Sequence, residues 1–182
     1  MDELIDILDE HGRYTGKTCL KSEAHAKGFF HPTIHVWIYT QEGQLLLQKR
    51  SMQKKVFPGL WDISVAGHIG AGEAIKTAAV REIKEEIDFD IPEEALLKIG
   101  TRKHEVKHPN GIIDNEYHHV FIVELTVPIS QLNRQVSEVD ALELFDLDLL
   151  LHTADHENIL LPQYQEYYDY VHSKIEAQIK KR

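Results

Sequence analysis

Residues 67–89, GHIGAGEAIKTAAVREIKEEIDF, join a glycine-rich loop to a helix-forming segment that carries three closely spaced glutamates. On a helix, Glu82, Glu85 and Glu86 are related by three- and four-residue steps, so their carboxylates project from one side. Like charges at this spacing repel each other and weaken an isolated helix. The cluster therefore indicates a function that needs several carboxylates together, such as the binding of a divalent cation.

An apolar stripe predicts how this helix packs. Apolar residues recur in four-residue steps at Ile75, Ala79, Ile83 and Ile87. This period predicts an amphipathic helix over residues 73–87 with one side in the core. Arg81 lies among the glutamates, where it can neutralise or orient them. Clustered oxygen ligands suit Mg²⁺ or Mn²⁺, and such ions stabilise charge during phosphoryl transfer.

Length and charge limit the classes of partner. The 182 residues are enough for one full core, and we interpret residues 1–182 as a single domain. A net charge of −10 argues against nucleic acid or an anionic membrane as the main partner. Cys19 is the only cysteine, which excludes an intrachain disulfide. There is no bilayer-length apolar run and the N-terminus is acidic, so we expect a cytoplasmic protein.

The sequence of the rest of the chain predicts strands followed by helices. Alternating residues predict an N-terminal hairpin that turns at residues 10–12. Further strands are predicted at 34–40, 44–50, 60–67, 95–108 and 116–127. From about Ser130 the composition favours helices. These elements predict an α+β protein with an α/β/α layered arrangement.

The spacing around the glutamates resembles the Nudix box of the Nudix hydrolases. Gly67 is followed after five residues by Glu73, and after seven more by REIKEE at 81–86. Six identities and one apolar position in a strand–loop–helix context make the match specific. The box normally continues with a glycine where this sequence has Asp88. That glycine ends the helix in a left-handed conformation, which aspartate tolerates better than most residues.

The resemblance implies a fold, a reaction and roles for single residues. The Nudix fold is an α/β/α sandwich with a central mixed sheet, to which the N-terminal hairpin and C-terminal helices are additions. Nudix enzymes use Mg²⁺ or Mn²⁺ to hydrolyse a diphosphate by attack of water at phosphorus. The implied metal ligands are the carboxylates of Glu82, Glu85 and Glu86 and the carbonyl of Gly67. Arg81 and Glu73 brace the loop and helix, and the general base is a box glutamate or Glu116.

Flanking residues resemble one branch of the family. Residues 31–73 and DNEYHHVF at 114–121 are similar to type 1 isopentenyl diphosphate isomerase and its hydrolase-like relatives. In the isomerases three histidines and two acidic residues hold one metal ion. The matching positions are His25 or its neighbourhood, His31, His68, Asp114 and Glu116. The resemblance therefore implies a second metal site, with ordinary hydrogen-bonded histidines as the alternative.

The isomerase reaction requires a cysteine that this chain lacks. The isomerase segment Ser-Val-Cys-Gly-His corresponds here to SVAGH at 64–68, in which Ala66 cannot transfer a proton. Isomerases also use a late tryptophan, whereas Trp37 and Trp61 are both early. We therefore predict a divalent-metal-dependent hydrolase that cleaves the diphosphate linkage of a nucleoside diphosphate derivative or similar compound. The alternatives are isopentenyl diphosphate isomerase and a catalytically silent, nucleotide-binding Nudix module.

Several residues near the box allow a functional and a structural interpretation. Arg50, Lys54 and Lys55 either bind the substrate's phosphates or are ordinary solvated charges. Phe57 and Trp61 fit core or loop packing. Three strand histidines are expected to be hydrogen-bonded without a ligand role: His35, His118 and His119. The expected partner is a small diphosphate compound, and neither a membrane nor a nucleic acid is expected as a partner. The sequence leaves homodimer formation as an open alternative.

Overall fold

The computed structural model describes residues 2–181 as a mixed sheet with helices on both faces. The strands are β1 (Leu4–Leu8), β2 (Tyr14–Leu20), β3 (His31–Tyr39), β4 (Gln44–Arg50), β5 (Trp61–Asp62), β6 (Val65–His68), β7 (Leu97–Lys107), β8 (Ile113–Glu124) and β9 (Val139–Asp146). The α-helices are α1 (Lys21–Lys27), α2 (Ile75–Ile87) and α3 (Gln165–Ile179). Short 3₁₀ helices cover Glu93–Ala95, Ile129–Gln131, Leu147–Leu151, Thr153–Asp155 and Pro162–Tyr164.

The central sheet contains seven strands, and β3 is its middle strand. β3 pairs in parallel with β8 and antiparallel with β4 and β6. β5 and β9 extend the sheet from β4, and β7 extends it from β8. β1 and β2 form a separate antiparallel pair. The predicted mixed sheet and N-terminal hairpin are therefore both confirmed.

The sheet splits beside β3, and this split positions two residues of the box region. β3 pairs with β4 only at residues 38–39, while residues 33–36 pair with β6 instead. Ser64 bridges the split, because its hydroxyl donates to Leu46 O and accepts from Ile38 N. The predicted strand 60–67 was therefore wrong as one strand: it is β5 and β6 with a break between them. The break brings Gly67 and His68 to the beginning of β3.

Helix α2 covers one face of the sheet as the apolar stripe predicts. Ala79, Ile83 and Ile87 are fully buried in a core that includes residues of β3, β6 and β8. The helix begins at Ile75, two residues later than predicted, and ends with Asp88 at φ 54°. The expectation that Asp88 adopts the left-handed conformation is confirmed.

The prediction that residues from about Ser130 onward are helical was wrong for their first part. Residues 139–146 form strand β9, which pairs with β4 along its whole length. Leu142 and Leu144 pack toward the α2 side, whereas Phe145 packs on the opposite side. Such alternation belongs to a strand, and burial on both faces outweighs the helix propensity of the leucine- and glutamate-rich composition.

Helix α3 covers the second face of the sheet and is the one long helix of the predicted C-terminal helices. Val171 and Ile175 are fully buried in a core with Trp37 and other residues of β3, β4 and β8. The sheet therefore lies between α2 and α3, as the layered prediction requires. Within residues 2–181 no helix combines the length and apolar character that crossing a membrane requires.

Candidate active site

Arg81 ties the glycine-rich loop to helix α2. Its Nε and Nη2 donate to the two carboxylate oxygens of Glu73 at 2.9 and 3.0 Å, and Nη2 also donates to His68 O at 3.0 Å. Glu73 in turn accepts from Gly70 N at 2.9 Å. The hydrogen bond from Arg81 lowers the pKa of Glu73. The arginine and Glu73 thus brace the loop, in the arrangement that the box resemblance implies.

The three glutamates of the box lie on one side of α2 but differ in burial. Glu82 and Glu86 are buried, whereas the side chain of Glu85 is about half exposed. Arg81 Nη1 donates to Glu82 Oε1 at 2.8 Å and to Glu85 Oε2 at 3.2 Å. Gln48 Nε2 donates to Glu86 Oε2 at 3.2 Å. Two of the three carboxylates are therefore removed from water: Glu82 pairs with Arg81, whereas Glu86 has no ion pair among the described residues and feels a positive charge only from Lys54.

Burial changes the acidity of these carboxylates. It raises the pKa of Glu82 to about 7, against the opposing charge of Arg81. Burial and the nearby charge of Glu82 raise the pKa of Glu86 to about 8. Two buried carboxylates that hold protons so strongly lack compensating positive charge. A divalent cation with a preference for oxygen ligands would supply it, so the donor set fits Mg²⁺ or Mn²⁺.

Gly67 lies directly against the side chain of Glu82. A methyl group at position 67 would approach Glu82 Cδ to 2.1 Å, which no side chain can do. The box glycine is therefore required here by close packing between β6 and α2. It also places the backbone of residue 67 beside the carboxylates, where the resemblance to the Nudix box implies a carbonyl ligand.

A second cluster lies at the beginning of β3. Four side chains converge there, with one ligand atom of each within 4.8 Å of the others: His25, His31, His68 and Glu116. His31 is fully buried, and its Nδ1 donates to Phe29 O at 2.9 Å. Its Nε2 then has a free lone pair and no hydrogen-bond partner among the described residues. An orphaned buried imidazole nitrogen facing a carboxylate is the arrangement of a metal ligand.

Asp114 lies behind this cluster and is not one of its converging groups. Its Oδ1 is 2.9 Å from His25 Nδ1, and its Oδ2 is 2.7 Å from His108 Nε2. Such a carboxylate orients a histidine ligand and fixes its tautomer. His25 is the third histidine of the cluster. Its match to the isomerase pattern was loose, because its spacing to His31 differs by one residue. Helix α1, which carries it, was not predicted.

Glu116 is held by histidines on both of its oxygens. Oε1 lies 3.5 Å from His31 Nε2, and Oε2 lies 2.8 Å from His118 Nε2. Although burial opposes the effect, the hydrogen bond from His118 holds the pKa of Glu116 well below its ordinary value. His118 was expected to have no ligand role, and it contacts the cluster through Glu116 without being one of the converging residues.

The predicted phosphate-binding residues differ in their contacts. Arg50 pairs with Asp62 at 3.2 Å and donates from Nε to Val56 O at 3.1 Å. Lys54 pairs with Glu138. Lys55 is exposed. Ring packing accounts for the two aromatic residues: Trp61 contacts Phe145 in the α3-side core, and Phe57 contacts His108.

Known proteins share both the sequence pattern and the fold. Residues 29–166 match the family described as NUDIX domain. The chain belongs to the Nudix family. It is 37% identical over 159 residues to an uncharacterized Nudix hydrolase of Clostridium acetobutylicum, covering 86% of this chain and 76% of that protein. It is 36% identical over 155 residues to isopentenyl-diphosphate Delta-isomerase 2 of Photorhabdus laumondii, covering 85% of each.

Solved structures confirm the Nudix fold at lower sequence identity. DR0079 from Deinococcus radiodurans superposes with a TM-score of 0.67 at 20% identity, covering 92% of this chain and 98% of that one. The NUDIX domain of Shewanella oneidensis NrtR, solved with ADP ribose, gives a TM-score of 0.59 at 14% identity, covering 79% and 87%. The family therefore includes hydrolases and isomerases of one fold, and the reaction depends on the residues of the site.

Proposed function

We propose that this Nudix protein is a divalent-metal-dependent hydrolase of a diphosphate linkage. The observation that carries the proposal is the pair of buried carboxylates, Glu82 and Glu86, whose pKa values burial raises to about 7 and about 8. A stable fold gains nothing from two buried, crowded carboxyl groups, and a cation between them removes their repulsion. The intact REIKEE run supports a working hydrolase over a catalytically silent module.

In this proposal the box side chains hold the metal and the loop. Glu82, Glu85 and Glu86, with the carbonyl of Gly67, are the ligands of Mg²⁺ or Mn²⁺. The bound ion would stabilise negative charge on the phosphate oxygens as water attacks phosphorus. Arg81 keeps two of these carboxylates oriented, and a box glutamate or Glu116 accepts the proton of the attacking water.

A second metal site is part of the proposal. His25, His31, His68 and Glu116 provide nitrogen and oxygen donors, with Asp114 orienting His25. Elemental analysis after dialysis against Mn²⁺ or Zn²⁺ should find more metal in the wild type than in His25→Gln. His25 is partly buried on the short helix α1, so this variant should disturb the fold less than a change at the fully buried His31. Equal metal content in both proteins would exclude the site.

The proposed substrate is a nucleoside diphosphate derivative or a similar diphosphate compound. Lys55 is exposed for contact with phosphates, whereas Arg50 and Lys54 would have to exchange a carboxylate partner for a phosphate. The proposal of a single domain acting on a small molecule agrees with a Nudix match that spans most of the chain.

Isopentenyl diphosphate isomerisation is the second candidate. Isomerases among the relatives and the histidine cluster favour it. Ala66 argues against it, because this side chain lies opposite His35 on the α3 face and has no group that transfers a proton. We therefore rank hydrolysis first.

One experiment separates these candidates. Purified protein is incubated with a panel of diphosphate compounds and Mg²⁺ or Mn²⁺ in ¹⁸O-labelled water, and the products are identified by mass. Two phosphorylated products, one of which carries ¹⁸O, support the hydrolase. An isomer of unchanged mass would support the isomerase, and saturable binding without any product would support the silent module.

A further inference from the structure

Arg102 on β7 lies outside both clusters and has no carboxylate partner among residues 2–181. Its guanidinium carbon is 4.7 Å from the ring centre of Tyr164 and 4.8 Å from that of Tyr167. Its hydrogen-bond neighbours are imidazole nitrogens of His104 and His118, both at 3.5 Å. The side chain is partly buried, and no acidic side chain of the described residues pairs with its charge.

The two tyrosines hold the guanidinium at the wall of a cavity. Arg102, Tyr164 and Tyr167 line a cavity of about 500 Å³ between β7 and the beginning of α3. Tyr167 is itself fixed, because its hydroxyl accepts a hydrogen bond from Trp37 Nε1 at 2.8 Å. Glu166 also lines the cavity, but it is exposed and forms no ion pair with Arg102. The aromatic clamp orients the cation without neutralising it.

The clamp is one imidazole ring away from the histidine cluster. Arg102 Nη1 contacts His118 Nδ1, and His118 Nε2 contacts Glu116 Oε2 at 2.8 Å. Thr33 lies in register with His118 on the neighbouring strand, and its buried hydroxyl has no hydrogen-bond partner among the described residues. A guanidinium without an acidic partner and a hydroxyl without a hydrogen-bond partner therefore lie on the α3 face of the sheet, next to the proposed second metal site.

We propose that Arg102, clamped by Tyr164 and Tyr167, is an anion subsite that binds a phosphate or carboxylate group of the substrate beyond the scissile diphosphate. A planar guanidinium of fixed orientation binds such oxyanions through two hydrogen bonds. The substrate class is then a diphosphate compound with an additional anionic group. This inference rests on the proposed function for the location of the diphosphate.

Binding at the subsite can be tested without turnover. Wild-type protein labelled with ¹⁵N-arginine is titrated with inorganic phosphate, and separately with acetate, in excess EDTA and at constant ionic strength. The Nε–H resonance of Arg102, assigned from its loss in Arg102→Lys, should shift saturably. Arg13 is the internal control, because it is exposed and paired with Asp9 at 2.8 Å. A shift with phosphate alone assigns a phosphate group, and a comparable shift with acetate assigns a carboxylate.

An absent shift, or equal shifts of Arg13 and Arg102, would overturn the inference. Because the titration contains EDTA and no substrate, this result would leave the proposed hydrolase standing. Conversely, a protein that hydrolyses nothing could still show the Arg102 shift. The titration is made on the wild type, and the Arg102→Lys variant is needed only to assign the resonance, with the unchanged remaining arginine resonances as the check that it is folded.

Kinetics then test the role of the subsite in substrate selection. With Mg²⁺ present, kcat/KM is compared within two pairs of diphosphate compounds whose members differ by a single phosphate. The pairs are NADH with NADPH, and dephospho-coenzyme A with coenzyme A. Arg102→Gln loses a charge-assisted contact. For at least one pair, the ratio of kcat/KM for the member with the additional phosphate to kcat/KM for the other member should therefore fall by about tenfold or more. Arg13→Gln removes the same charge and should leave both ratios unchanged. Where the titration assigns a phosphate group, equal ratios in both variants for both pairs would overturn the inference.

Discussion

Replacement of Glu86 by glutamine keeps the shape of a buried side chain and removes its charge. Burial and the charge of Glu82 raise the pKa of Glu86 from an ordinary 4.5 to about 8 in the folded protein. As the pH rises, the carboxyl group of residue 86 therefore loses its proton at a lower pH in the unfolded chain than in the folded protein. The contribution of the protonated group to stability is full below about pH 4.5 and is lost as the pH rises toward 8. Glutamine does not ionise in this pH range, so the variant does not lose folding stability in this way as the pH rises.

The size of the effect follows from the shift. Each pKa unit corresponds to about 1.4 kcal/mol, and relaxation around Gln48 and Glu82 reduces the full value. We expect metal-free wild type to lose on the order of 2–4 kcal/mol between pH 5 and pH 9 because of Glu86. Glu86→Gln should then melt about 5 °C or more above wild type at pH 9. The two proteins should melt at similar temperatures at pH 5.

Turnover should change in the opposite direction. If Glu86 is a ligand of the catalytic ion, its replacement removes several kcal/mol of transition-state stabilisation, which lowers the rate about a hundredfold or more. Melting is followed by circular dichroism in EDTA, and turnover by product release with Mg²⁺. Glu94→Gln is the matched control, because Glu94 is exposed after α2. A variant that unfolds, keeps its rate within a few-fold, or shows no pH-dependent gain would refute the reasoning.

Three further predictions address the metal, the box glycine and the isomerase alternative. Excess EDTA should abolish hydrolysis and Mg²⁺ or Mn²⁺ should restore it; full activity with no metal left by elemental analysis would contradict the metal assignment. Gly67→Ala should force Glu82 out of position, because the new methyl group would lie 2.1 Å from Glu82 Cδ, and should lower turnover about a hundredfold while the circular dichroism spectrum stays folded. An unchanged rate would show that Glu82 can move without consequence. Isopentenyl diphosphate should give none of its dimethylallyl isomer above a no-enzyme control, because Ala66 cannot transfer a proton.

The box could be predicted from the sequence because its parts are close together in the chain. A four-residue period identified the buried side of α2, and the remaining side then had to present the glutamates. Asp88 could be predicted at the helix end from its tolerance of a positive φ. Each of these inferences concerns residues within a few turns of one another, where local geometry determines what lies together.

Features that depend on distant pairing were not predictable in the same way. Strand β9 is stabilised by β4, almost a hundred residues earlier in the chain, and its composition alone favours a helix. The split between β5 and β6 depends on Ser64 reaching the backbones of two other strands. The contact between Arg102 and Tyr164 has no local motif, because it forms only when α3 packs on the sheet. Tertiary contacts override local propensity in all three cases.

Strand β6 explains why the two clusters lie on different faces of the sheet and yet are connected. Successive strand residues face opposite sides, so Gly67 packs against Glu82 of α2, whereas Ala66 and His68 face α3 and the histidine cluster. The carbonyl of His68 nevertheless accepts from Arg81, which connects its backbone to the box. On the α3 face, position 66 is the place where a proton-transferring side chain would act beside the histidine cluster, and it carries a methyl group. The lack of a proton-transferring side chain at position 66 favours attack by water over rearrangement of a carbon skeleton.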